Sequence, residues 1–134
     1  MNTKLSFKQI IIAGAMAAGV SVVVNSILFL IFHSAGVFTD DIMVQPNRPL
    51  TIVAIIMSSI IPTLIGACVF FLFEKFGKNG FKTFSIFSII LLVLTFANPF
   101  FGIPHVTIAY AIVLDVMHVV VALSLLYFIK RAKK

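Results

Sequence analysis

At 134 residues, 61% hydrophobic, 10% charged and with a formal net charge of +6, the chain reads as a single domain. A soluble domain carries roughly a quarter charged residues, so this composition, with a mean hydropathy of +1.19, excludes a water-soluble globule and leaves no length for a span plus a sizeable soluble enzyme domain. The basic residues flank apolar runs rather than interleaving with stacking aromatics, which points to anionic lipid head groups and away from nucleic acid.

A helix needs about 20 mostly apolar residues to cross the hydrocarbon core. The first candidate covers residues 9–33. Lys4 and Lys8 ahead of it mimic a signal peptide, but the apolar run continues through Val22, Val23, Val24 and Ile27 to Phe32, too long for one. Gln45-Pro46-Asn47-Arg48-Pro49 then breaks the helix, because two prolines remove donors and restrict their neighbours. Pro49 suits the first turn of the second span, residues 50–73. Cys68, the single cysteine, lies inside that run and reads as a small apolar residue. Gly77-Lys78-Asn79-Gly80 is a tight polar turn. The third span, residues 81–97, is the shortest. Asn98-Pro99 and Gly102-Ile103-Pro104 break the last connection, and the fourth span covers residues 106–129. Unbroken apolar runs argue for helices over a barrel, whose strands alternate. The expected fold is an all-α membrane protein, a four-transmembrane-helix bundle filling residues 1–134 as one membrane domain.

The charges orient it. Lys4, Lys8, Lys75, Lys78, Lys82, Lys130, Arg131, Lys133 and Lys134 fall on one side of four spans, and Arg48 on the other. The positive-inside rule places both termini and the middle turn in the cytoplasm of a multi-pass inner-membrane protein, with Asp40 and Asp41 outside. Partners are then membrane lipids and either a second copy or a larger membrane complex.

Each span carries a stripe of small or polar residues at steps of three and four, which share one helical face. These are Gly14, Ala18, Ser21 and Asn25; Ser59, Pro62, Thr63 and Gly66; Ser85, Ser88, Thr95 and Asn98; and Ala111, Asp115, His118 and Ala122. Small residues let membrane helices approach, and polar ones bond across them. Pro62, near the middle of its span, removes one backbone bond and predicts a kink.

Asp115 and His118 are the unusual pair. Asp115 lies about nine residues, or about 14 Å, from the outer end of the fourth span, and His118 one turn deeper on the same face. A carboxylate there costs about 2.5–3.5 kcal/mol. With Asn25 at a similar depth, the three form a candidate intramembrane polar site. It serves either to bind a small ligand or relay a proton, or to fix packing through interhelical hydrogen bonds. His33 and His105 fall at the outer edge near Asp40 and Asp41, but their short loops fix no ligand geometry, and His33 and His118 differ too much in depth to share a haem. No metal or cofactor is expected. No Gly-rich phosphate loop, His-Glu-x-x-His or Gly-x-Ser-x-Gly occurs, and no nucleophile is flanked by a recognisable base, so no catalytic residue is assigned.

Asn25, Pro62, Asn98-Pro99 and Met117-His118 resemble the pattern of a group of small bacterial four-helix membrane proteins of unknown function. The resemblance covers nearly the whole chain and implies four spans, a bacterial cell membrane and no particular activity. Asp115 stands outside that pattern. Two function classes follow: a non-enzymatic membrane component or small-ligand-binding subunit, and a small oligomeric transporter or proton-linked carrier using the Asp115/His118 pair.

Overall fold

A computed structural model describes residues 4–37, 43–45, 48–49, 51–97, 100–101 and 106–133. Helix α1 spans Phe7–Ser34, α2 Ile52–Phe76, α3 Gly80–Thr95 and α4 Ile108–Ala132. Each begins on a polar side chain that accepts from a backbone N–H three residues on: Ser6 from Gln9, Thr51 from Ala54, Asn79 from Lys82 and Thr107 from Tyr110. Such caps satisfy donors that the first turn leaves open. Ser6 and Gln9 complete a reciprocal capping box, with the Ser6 N–H donating to Gln9 Oε1.

Every helix end differs by one to three residues from the expected span. Pro49 does not open α2. It lies in a short strand, β2 (Arg48–Pro49), paired antiparallel with β1 (Met43–Gln45), and α2 starts at Ile52. Thr51 offers a capping hydroxyl that proline lacks, and so sets the boundary. Helix α3 is 16 residues, about 24 Å, against about 30 Å of hydrocarbon. The other three are 28, 25 and 25 residues and are long and apolar enough to cross a membrane; α3 is shorter and apolar. Asp40, Asp41, Pro46, Asn98, Pro99, Pro104 and His105 lie outside the described residues.

Between 22% and 28% of the residues in the apolar windows of α1, α2 and α4 are buried inside the protein. The other apolar side chains are half-buried or exposed, and the exposed ones form the outward surface that lipid would cover. Helix α1 packs mainly on α2 and α4, and α3 lies more thinly against α2 and α4. Two glycines permit the close approaches. A Cβ on Gly14 would stand 2.8 Å from Ala67 Cβ, and one on Gly66 2.7 Å from a Leu125 methyl.

The interior is layered. One apolar cluster, built on Ile10, Ala67, Phe70, Phe84 and Ile129, fills the end that holds the termini. A second, of Phe29, Ile55, Tyr110, Val113 and Met117, fills the opposite end. Between them lies a belt of buried polar residues: Ser21, Asn25, Ser59 and Thr63.

Candidate functional site

Asn25 is the centre of that belt, 2% exposed. Its Nδ2 donates to Ser59 Oγ at 3.0 Å and to the Met117 carbonyl at 3.4 Å, joining α1 to α2 and α4. Ser59 Oγ donates to the Ile55 carbonyl and Thr63 Oγ1 to the Ser59 carbonyl, each one turn back along α2. The hydroxyl hydrogens are therefore committed within α2. Asn25 Oδ1 is buried and accepts no hydrogen bond among the described residues.

Beside the belt lies a cleft of about 760 Å³ between α3 and the other helices. Its wall is mostly apolar, with Leu91, Leu92, Val121 and Leu125 among its lining, and it carries Asn25, Ser58, Ser59, Pro62 and His118. Helix α2 runs unbroken through Pro62. Proline has no N–H, so the Ser58 carbonyl loses its usual donor one turn on. Pro62 and Ser58 both line the cleft.

The structure thus brings two of the three sequence-derived site residues to one place. Asn25 and His118 share the cleft, His118 as an exposed side chain. Asp115 is half-buried and is not among the lining residues. One of its oxygens, Oδ1, is buried with no hydrogen-bond partner among the described residues. Asn25 pairs with Ser59 and the Met117 backbone rather than with Asp115. At the outer end His33 stacks on Phe29, ring centroids 5.4 Å apart; its supposed neighbours His105, Asp40 and Asp41 lie outside the described residues. Among the described residues no three His, Cys, Asp or Glu side chains come together as a metal site.

A second polar cluster escaped the sequence reading. Glu74, 3% exposed, accepts from the Leu5 backbone N–H at 3.0 Å and from Lys133 Nζ at 2.5 Å. Lys4 Nζ donates to the Lys75 carbonyl next to it. The Glu74 backbone also closes on Gly80, where an added Cβ would stand 2.6 Å from Glu74 Cα. The start of α1, the end of α2, the start of α3 and the end of α4 are therefore tied together at one end. One acidic residue among Lys75, Lys78 and Lys82 was the available signal.

The model of a protein family described as a family of unknown function, DUF6069, matches residues 6–134, and the chain belongs to that family. No curated protein and no solved structure matches the chain.

Proposed function

We propose that this DUF6069 member is a non-enzymatic, multi-pass membrane component that binds a small lipophilic molecule in the cleft between α3 and the other helices. The observation that carries the reading is the cleft itself: about 760 Å³, apolar along most of its wall, with Asn25 and His118 as polar points. Ligand pockets commonly combine an apolar lining with a few polar groups that fix orientation. The same reading makes α3 a fourth span in a cell inner membrane. The termini and the α2–α3 turn, which the Glu74 cluster holds at one end, then face the cytoplasm, because the bases gather there. It acts alone, as a homo-oligomer, or as part of a larger membrane complex.

Native mass spectrometry from mild detergent tests the ligand. Wild type is expected to carry a co-purifying lipophile that Ala122→Phe, which fills the cleft, expels and that His118→Ala weakens. Identical spectra for all three forms would sink the proposal. One observation favours a second reading, a proton-linked carrier: the buried Asp115 Oδ1, one helical turn from His118 and without a hydrogen-bond partner among the described residues. That reading requires proton flux in liposomes that Asp115→Asn abolishes; flux unchanged by the substitution, or no flux at all, removes it.

A further inference from the structure

Given the reading that the cleft is a ligand site, the depth and chemistry of its polar side chains narrow the ligand. Glu74, Gly80 and Lys133 meet at one end of the bundle. Counted from them, Ser58, Thr95 and His118 each stand about 22–24 Å along their helices. Side chains of α2, α3 and α4 thus form a polar band across the cleft at one level. From that band toward the Glu74 end the cleft follows α3 for about 17 Å. The wall there includes Leu91, Val121 and Leu125, is interrupted by Ser88, and ends at Phe84, which is 3% exposed. The floor is buried at Met117 and Leu125, whereas the rim is exposed at Ile61 and Ile65 of α2 and at Phe87 and Leu91 of α3. The cleft therefore opens on the flank of the bundle, where a molecule enters from lipid.

Among the described residues that line the cleft, His118 alone is titratable. Its side chain is exposed and makes no hydrogen bond or ion pair among the described residues. Asp115, one turn outward on α4, lies outside the lining, and α1, α2 and α3 bring no acid or base to the wall. A fixed charge at this depth meets the penalty that makes intramembrane charges rare. A carboxylic acid beside an imidazole escapes it. One proton serves both groups: it stays on the carboxyl oxygen or passes to the imidazole nitrogen, and the pair is neutral overall either way. The hydrogen bond between them is charge-assisted, about twice as strong as the neutral one that an alcohol or an ester would make. The Ser58 hydroxyl, at the same depth and without a hydrogen bond among the described residues, suits the second carboxyl oxygen. We infer that the cleft binds a long-chain carboxylic acid taken from the bilayer, its carboxyl group on the His118 imidazole and its chain lying along α3 toward Phe84.

The test uses the full chain in phosphatidylcholine nanodiscs and two photoreactive probes, a diazirine-bearing hexadecanoic acid and its methyl ester. The ester keeps the chain and a carbonyl acceptor but has no acidic proton. Both probes should label wild type on α3 and α4, at residues such as Leu91 and Val121. His118→Gln keeps a hydrogen-bonding side chain and loses the base; His118 is exposed, so the fold tolerates the change. The acid-to-ester labelling ratio should be about tenfold higher in wild type than in His118→Gln, the difference between a charge-assisted and a neutral hydrogen bond. Comparing the two proteins with the same probes cancels their unequal partition into the bilayer. Ala122→Phe should abolish labelling by both probes. Leu91→Trp, on a helix with no buried residue beyond Phe84, fills the cleft without threatening the fold and should do the same at Val121. Equal ratios in wild type and His118→Gln, with labelling still blocked by the two filling variants, overturn the carboxylic acid and leave the cleft a site for an uncharged lipid. Labelling indifferent to both filling variants overturns the acid and the ligand site together.

Discussion

Glu74 offers the most direct test of how the bundle is held. Replacing it with alanine removes two contacts at once. The first is the bond from the Leu5 N–H; a bond to a charged acceptor contributes about 1.5–3 kcal/mol. The second is the Lys133 ion pair, whose side chains are 4% and 15% exposed on the Glu74 and Lys133 sides. Breaking a fully buried pair costs about 3–5 kcal/mol, largely because a charge is stranded. Lys133 closes the last turn of α4, so its ammonium can reach water, and a contribution of about 1 kcal/mol is more apt. Glu74→Ala should then destabilise the bundle by about 2–4 kcal/mol. Glu74→Gln keeps an acceptor for Leu5 and should lose about half of that, and Lys133→Met, which leaves the buried Glu74 carboxylate with the Leu5 N–H alone, about 1–3 kcal/mol. The assay is unfolding of the detergent-solubilised chain in sodium dodecyl sulfate, followed by circular dichroism or tryptic access. A double-mutant cycle between positions 74 and 133 isolates the pair. A coupling near zero, or a Glu74→Ala loss under about 0.5 kcal/mol, would refute the claim that this cluster fastens the four helix ends.

The glycine contacts make a matched pair. Gly14→Val forces a side chain into Ala67 and should cost about 1–3 kcal/mol by overpacking. An added Cβ at Gly19 meets nothing within 4 Å, so Gly19→Ala should be neutral or stabilise by up to about 1 kcal/mol through helix propensity; equal effects would contradict the α1–α2 interface. Ser59→Ala removes the acceptor for Asn25 Nδ2 and should lower stability by about 1 kcal/mol in the same unfolding assay. For orientation, single cysteines at Val37 and Lys133 in a Cys68→Ala background should differ in intact cells: an impermeant maleimide labels the first and spares the second, and the reverse pattern inverts the topology.

Much of the architecture was legible because the signals were local. Unbroken apolar runs and the Gly77–Gly80 turn gave four helices within a few residues of their observed ends. The α1 stripe of Gly14, Ala18, Ser21 and Asn25 is buried throughout. The α2 stripe is only partly buried: Ser59 and Thr63 face inward, while Pro62 is exposed toward the cleft. Helical spacing defines a face about 100° wide, too coarse to say which edge packs and which lines an opening. The same coarseness put Asp115 and His118 on one stripe, yet only His118 reaches the cleft. Glu74 was illegible for another reason: its partners Leu5 and Lys133 lie 69 and 59 residues away. Only the antiparallel order of the helices brings them together.

Why α3 stands apart from the rest follows from the physics of helices in lipid. Lipid tails are as apolar as leucine, so association there depends on close packing and interhelical hydrogen bonds. Helices α1, α2 and α4 have both, through Gly14 against Ala67, Gly66 against Leu125, and Asn25 bonded to Ser59 and Met117. Helix α3 is secured near its start, where Gly80 abuts the Glu74 backbone and Phe84 meets Phe70 and Phe73 edge-on, with centroids 5.2 and 5.9 Å apart. Beyond Phe84 it has no buried residue. Its hydroxyls at Thr83, Ser85 and Thr95 donate to carbonyls at or one turn back along their own helix rather than across to a neighbour. With neither small-residue contacts nor cross-helix bonds along its outer two-thirds, α3 cannot close on α2 and α4. The cleft is the space left over between α3 and the other helices.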